Sequence, residues 1–245
     1  MKAVRANLMA LSALMKVARS VTFSQYGEDL LLAHSLSPGR SGRYVDAGAY
    51  HAWRGSNTYK LYLRGWSGLT IEPNPDAALL FRRMRPRDIH VTEGIASASS
   101  QMTYYRFEDG KRNTFSPDQV QAARRETQLR EPLNVPVRPL QAIIDEHFPD
   151  GRIDLLSVDC EGFDLVVLET LDFGRSRPTA IIIEDFEAFN NLKTGAGDSP
   201  IEAHLRSRSY APIGQAMFST LYVDLMALAE RRHGAFDLAS VQMGV

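Results

Sequence analysis

The chain has 245 residues, 44% hydrophobic, 23% charged and 9% aromatic, with 28 Lys and Arg against 29 Asp and Glu for a net charge of −1. This excludes a disordered tail, a collagen-like repeat and a disulfide scaffold, and leaves one large domain or two small ones at roughly 100–200 residues each. There is no basic excess to mark a nucleic-acid partner, and the single cysteine, Cys160, forms neither an internal disulfide nor a thiolate zinc site, which points to a reducing, cytoplasmic compartment.

The first twenty residues carry Lys2, Arg5, Lys16 and Arg19 and no acid. Their apolar run, 8–15, is about half of what spans a bilayer, so no transmembrane segment is expected. Lys16 stands where a signal peptide would need a small residue. Leu8, Leu11, Met15 and Ala18 fall near helical spacing, which predicts an amphipathic helix over 1–22. That helix packs on the domain or on a second copy in a homo-oligomer; a membrane surface or a disordered start are the alternatives.

Beyond residue 40, short β-branched runs alternate with helical patterns, the signature of βαβ units and a parallel sheet. Strands are predicted at 43–46 (RYVD), 67–72 (SGLTIE) and 89–95 (IHVTEGI), with helices at 56–64 and 76–84 between them. Residues 102–107 read as an edge strand or hairpin. The polar stretch 108–134 lacks an apolar face and reads as a lid-like insertion, because loops this long inside a compact domain tend to bind something. A helix at 139–147, a strand at 153–158, a helix at 163–171 and the most apolar strand, 180–184, follow. Asp198 or Ser199 caps a helix to about 208, and 211–217 with 220–226 form a closing antiparallel pair. No repeat or long linker divides the chain, so a single α/β domain over 23–245 is expected.

The segment YVDAGAYHAWRGSNT (44–58) takes a buried strand into an acid, Asp46, and then Gly48, where the backbone turns or approaches a ligand without a Cβ. In open α/β sheets ligands sit at the carboxyl ends of the strands. A G-x-G-x-x-G pyrophosphate loop is absent. Glu72, 26 residues after Asp46, ends the second strand, where an acid accepts hydrogen bonds from both hydroxyls of a ribose. Two such acids without a phosphate loop describe a nucleoside crevice suited to S-adenosylmethionine; a tight turn and a solvated strand end are the plain alternatives.

FSQYGEDLLLAHSL, GRYVDAGAYHAWRGSNTYKLYLRGWSGLTIEPNP, RPRDIHV, TYYRF, NTFS and IDLLSVDCEGFDLVVLE occur in this order. In these motifs the chain resembles the FkbM family of S-adenosylmethionine-dependent methyltransferases, over 23–186. The resemblance implies a Rossmann-like class I methyltransferase fold, a seven-stranded mostly parallel sheet in the order 3-2-1-4-5-7-6 with helices on both faces. It implies O-methylation of a sugar or natural-product hydroxyl. Asp46, Gly48 and Ala49 would line the methionine side of the cofactor, with Ser56, Asn57 and Thr58 joining the contacts. Glu72 and Pro73 would hold the ribose, Glu93 and Gly94 would lie near the adenine, and Gln25 and Tyr26 would close over it. The loop departs from the family's pattern where Trp53-Arg54 follows His51-Ala52.

Asp159 ends the fourth long strand and Glu184-Asp185 end the fifth, 25 residues later. Adjacent parallel strands would bring these carboxylates together, where Asp159, Glu184 and Asp185 could hold Mg²⁺ and activate an acceptor hydroxyl. Alternatively Asp159 or His51 acts as general base without a metal, or Asp159 or Glu161 caps the next helix. His51 is otherwise structural. Asn113-Thr114-Phe115-Ser116 is either part of a lid or a capped turn before a helix at 117–125. A non-catalytic S-adenosylmethionine-binding module, or methyl transfer to nitrogen or a carboxylate, are the rival functions.

Overall fold

The structure is a computed structural model that describes residues 21–36 and 41–230. The expected amphipathic helix thus lies, but for its last two positions, outside the described residues. The described chain runs α1 (Glu28–Ser35), β1 (Arg43–Ala47), α2 (Tyr59–Leu63), β2 (Ser67–Ile71), a 3₁₀ turn (Pro75–Ala77) into α3 (Ala78–Met84), β3 (Ile89–Val91), β4 (Gly94–Ile95) and β5 (Ser100–Tyr104). It continues through α4 (Pro117–Ala123), β6 (Leu133–Arg138), α5 (Leu140–His147), β7 (Leu155–Val158), α6 (Asp164–Glu169) and β8 (Ala180–Glu184). It closes with α7 (Phe186–Thr194), α8 (Pro200–Ser207), β9 (Tyr210–Ala216), β10 (Ser219–Asp224) and α9 (Leu225–Glu230).

Seven strands form one sheet in the order β3-β2-β1-β7-β8-β10-β9. All neighbours are parallel except β10, which runs antiparallel to both β8 and β9. Counted within this sheet the order is 3-2-1-4-5-7-6, the Rossmann-like class I methyltransferase arrangement. The strand order reverses between β1 and β7, so their carboxyl ends flank a crevice.

Alternation along the strands divides the core. Val45 and Ala47 of β1 face a cluster built with Leu140, Ile143 and Ile144 of α5, Val167 and Leu168 of α6 and Leu205 of α8. Tyr44 points the other way, into a cluster with Leu32 of α1, Leu61 and Tyr62 of α2, and Trp66. Strand periodicity of two therefore puts Asp46 on the Tyr44 face, not on the Val45 face.

Three elements differ from the sequence pattern. The run 89–95 is two strands, since β3 stays in the main sheet and β4 crosses into a small sheet of order β4-β6-β5. Strand β6 lies at the end of the stretch expected to be a loop, and its Pro136, facing Gln101 of β5, obscures the alternation of buried Val135 and Val137. The rest of the insertion is folded, with α4 and a local core of Phe107, Val120 and Ala123. Helix α7 falls in a stretch, between the strand at 180–184 and the cap at 198–199, to which the sequence pattern gave no element.

Candidate active site

The carboxyl ends of β1, β2 and β7 border a cavity of about 370 Å³, within the size range of small-ligand sites. Gly48 lines it at φ +77°, and a Cβ there would stand 1.8 Å from the carbonyl oxygen of Asp159. Only glycine lets the ends of β1 and β7 come this close beneath a ligand. Across the floor, Phe115 occupies the space a side chain on Gly94 would take, 2.4 Å from its would-be Cβ.

Glu72 also lines the cavity and is buried. Its Oε2 accepts the Tyr50 N–H at 2.9 Å, while Oε1 accepts the Asn74 N–H at 2.8 Å and the Tyr104 hydroxyl at 3.1 Å. A carboxylate has about four acceptor sites, so roughly one remains. Glu72 therefore keeps about one free acceptor position beside the cavity. Burial, against those three hydrogen bonds, pushes its pKa up to about 7. Pro73, Glu93, Gly94 and Gln25 line the same cavity, as expected. Glu93 is held by Arg138, whose Nε donates to it at 2.6 Å.

Several expected contacts are placed elsewhere. Asp46 does not line the cavity; its Oδ2 accepts the Thr58 hydroxyl at 2.5 Å and lies 3.9 Å from the guanidinium of Arg85. Thr58 in turn accepts from Arg85, Ser56 accepts from Arg85 and from the Tyr59 N–H, and Asn57 donates to Ser157. These residues start α2 and surround the fully buried Arg85, and they are absent from the cavity wall. Ala49 is buried against Phe81, and Tyr26 lies beyond the wall with its hydroxyl held by Gln25 at 3.1 Å. His51 is also outside the wall. Its Nδ1 accepts the N–H groups of Trp53 and Arg54, and burial with the nearby Arg54 lowers its pKa, which leaves a neutral ring closing a turn.

The acids after β7 and β8 separate by the same measure. Asp164, not Asp159 or Glu161, ties the turn before α6, accepting from the N–H groups of Cys160 and Gly162. Asp185 caps α7 through the Ala188 N–H at 2.9 Å and accepts the Ser199 hydroxyl, so it is not available as a metal ligand. Among the described residues, no three His, Cys, Asp or Glu side chains converge in a metal-holding group, and the expected Mg²⁺ site of Asp159, Glu184 and Asp185 is not formed. The carboxyls of Asp159, Glu161 and Glu184 accept no hydrogen bond from the described residues.

Asp159 and Glu161 line the cavity. Burial, then Glu184, Glu161, Asp164 and Glu28, hold the Asp159 carboxyl well above the usual carboxylate range. Burial and Asp164, against Arg112, push Glu161 up to about 7, and burial with Glu161, Asp164 and Glu28 pushes Glu184 up to about 8. Glu161 and Glu184 therefore titrate near neutral pH. The insertion closes the outer wall through Gly110, Lys111, Asn113, Thr114 and Phe115. The Thr114 hydroxyl donates to the Glu161 carbonyl at 3.0 Å. Of 113–116, Asn113, Thr114 and Phe115 stand on the cavity wall, while Ser116 occupies the position before α4 with Pro117 following but makes no capping bond.

A model of the methyltransferase FkbM domain matches residues 46–211. The chain belongs to the FkbM methyltransferase family. No curated protein matches it. Among solved structures, it is similar to an O-methyltransferase from Bacillus cereus in complex with S-adenosylhomocysteine, with 13% identity, 89% of each chain covered and a TM-score of 0.42. A methyltransferase from Geobacter sulfurreducens gives 15% identity, 91% of this chain and 95% of that one, and a TM-score of 0.42. The Burkholderia thailandensis 1,6-didemethyltoxoflavin-N1-methyltransferase, with bound 1,6-didemethyltoxoflavin and S-adenosylhomocysteine, gives 14%, 90% and 85%, and 0.40.

In this FkbM chain the sequence reading missed Tyr50, Trp53 and Arg54, which line the cavity from the loop after Gly48. For Glu161 it offered only a cap of the next helix, where Asp164 accepts the N–H groups instead. Glu161 adopts φ 47°, a left-handed conformation that a non-glycine side chain holds only where its surroundings impose it. The D-x-E-G spacing was the available signal, since Gly162 leaves room for Gln119 of α4.

Proposed function

We propose that this FkbM methyltransferase is an S-adenosylmethionine-dependent O-methyltransferase acting on a hydroxyl of a sugar or natural-product acceptor. The observation that carries the reading is the make-up of the cavity wall. The Gly48 turn, Glu72, Pro73, Glu93 and Gly94 come from the ends of β1 and β2 and the start of β4, while Asp159 and Glu161 follow β7, their carboxyls accepting no hydrogen bond from the described residues. When bound, S-adenosylmethionine supplies an electrophilic methyl group on a sulfonium. Gly48 leaves space for the methionine portion beside β7, Glu72 accepts a ribose hydroxyl, and Gln25 with the insertion excludes water. The acceptor hydroxyl sits toward Asp159 and Glu161, and its proton passes to one of these carboxylates as its oxygen forms the new bond to carbon and the carbon–sulfur bond breaks. A base near neutral pKa suits this step, and positioning supplies much of the rest. Asp185 takes no part, and no step is routed through a metal.

The test is incubation with S-adenosylmethionine carrying a ¹³C methyl group and a pool of neutral glycosides, polyols and amines, followed by carbon NMR. A methoxy signal that requires the enzyme is expected. An N-methyl signal in its place would overturn the assignment to a hydroxyl, as would a methyl-ester signal alone once carboxylic acids are added to the pool.

A further inference from the structure

Beyond the cavity mouth lies a shelf of aromatic rings that the mechanism leaves unused. Phe218 packs 5.5 Å from Tyr26, 4.6 Å from Phe186 and 4.8 Å from Phe189, centroid to centroid. Three distant segments therefore meet: the lead-in to α1, the start of α7 and the β9–β10 turn. Tyr26 is 45% exposed and Phe186 49% exposed. The turn is the least expected part. Two-residue hairpin turns favour Asn and Gly, yet this one is Met217-Phe218 with Met217 at φ 52°. The Phe218 carbonyl accepts the Asp185 N–H at 2.8 Å, which fixes the turn to the end of β8.

The shelf is continuous with the reacting side of the cavity. Gln25 lines the cavity, and its amide donates to the Tyr26 hydroxyl. The Tyr26 N–H donates to Glu28 at 2.8 Å, Glu28 accepts from Ser219 at 3.5 Å, and Ser219 faces Glu184 across the β8–β10 pair. Glu28 and Glu184 are both near enough to Asp159 to affect its titration. A ring face therefore adjoins a row of carboxyls; the cations of the region, Arg54 and Lys111, stand on the cavity wall, and Arg112 acts on Glu161 rather than on Glu184.

Resting on the function proposed above, we infer that Tyr26, Phe186 and Phe218 form the acceptor subsite, for a ring with an apolar C–H face, hydroxyls at its edge and no acidic group. The rings cover the C–H face, and Glu184 and Glu161 accept from hydroxyls while repelling an anion. An acidic acceptor would bring a further negative charge into the group of acids that already hold one another's protons.

The experiment uses the full chain loaded with S-adenosylhomocysteine, whose own binding is first measured by calorimetry. Methyl β-D-glucopyranoside and D-glucuronate are then titrated by ligand-observed NMR at pH 8.5. The expected result is millimolar binding of the glucoside, about tenfold weaker binding of the glucuronate, and a gap that narrows in Glu184→Gln. Phe186→Ala and Tyr26→Ala should each weaken the glucoside about threefold or more, and Phe218→Ala, if it folds, at least as much. Equal binding of the two probes, no glucoside binding, or glucoside binding untouched by Phe186→Ala and Tyr26→Ala would each overturn the inference. So would a change of oligomeric state in those variants without a change in probe affinity, which would assign the shelf to a second copy. Failure of S-adenosylhomocysteine itself to bind would instead overturn the function on which the inference rests.

Discussion

Two groups of acids at strand ends of the same sheet, one running from Asp46 to Asp88 at the amino end of β3 and the other at the carboxyl ends of β7 and β8, behave in opposite ways. Asp46 and Asp88 surround Arg85, which is fully buried; its Nε lies 2.6 Å from Asp88, and it donates to the Tyr44 and Thr58 hydroxyls at 2.8 Å each. Asp88 also accepts the Gly68 N–H at 2.9 Å, so this network ties β1, β2, α2 and the turn before β3 together. After the neighbouring strands β7 and β8, Asp159, Glu161 and Glu184 crowd one another with no hydrogen-bond donor of the described residues on their carboxyls, and Arg112 offsets only part of the rise at Glu161. Burying a carboxyl without a partner costs stability, whereas a hydrogen-bonded ion network repays much of that cost. The contrast separates acids that build the fold from acids left open for chemistry, a distinction that their shared place at strand ends conceals.

Breaking the first group should have the largest effect. Arg85→Met strands Asp46 and Asp88 in the interior and should cost about 3–5 kcal/mol in urea unfolding. A loss under about 1 kcal/mol would show that the network contributes little to the fold. Breaking the second should leave the fold intact and lower turnover. Asp159→Asn should reduce kcat by about 10²-fold or more, with thermal stability unchanged or raised. If instead it unfolds the protein while the residual folded enzyme keeps full turnover, Asp159 belongs with the builders.

Titration sharpens the comparison. Glu184 has its pKa raised from 4.5 to about 8, so the folded state binds the extra proton and stability falls as pH rises from about 4.5 through 8. Glu184→Gln should therefore stabilise the protein by about 1 kcal/mol at pH 8.5 and have little effect at pH 5. Turnover should rise over the same range, because the accepting carboxylate must be ionised; a rate that falls between pH 6 and 8, about where Glu161 and Glu184 titrate, would contradict this. The smallest change is expected from His51→Ala, within about threefold in kcat, because the ring caps a turn outside the cavity.

Much of this was legible beforehand, and the gaps have physical causes. The apolar runs of β1, β2, β7 and β8 stand out because strands buried on both faces are hydrophobic throughout. Helix α7 does not, since Ala188 is its one buried residue while Phe186 and Leu192 are exposed. At the site, Gly48, Glu72, Glu93, Gly94 and Asp159 could be placed from their positions at strand ends. Asp46 could not, because the direction of its hydrogen bonds depends on Arg85, 39 residues further along the chain and brought beneath β1 only by folding. The Ser56–Thr58 segment was misplaced for the same reason. Asp185 carried the right charge in the right place, but a capping bond to the Ala188 N–H claimed it. Glu161 depends on a left-handed backbone, which the D-x-E-G spacing signals without showing where the carboxyl goes.

The account's central claim is that the cavity has a cofactor side at Glu72 and an acceptor side at Asp159. Calorimetric titration with S-adenosylhomocysteine tests this most directly. The prediction is that the wild-type chain binds, Glu72→Gln binds about tenfold more weakly, and Asp159→Asn stays within about threefold of wild type. No detectable binding to the wild-type chain at millimolar ligand, or an equal loss in both variants, would contradict it.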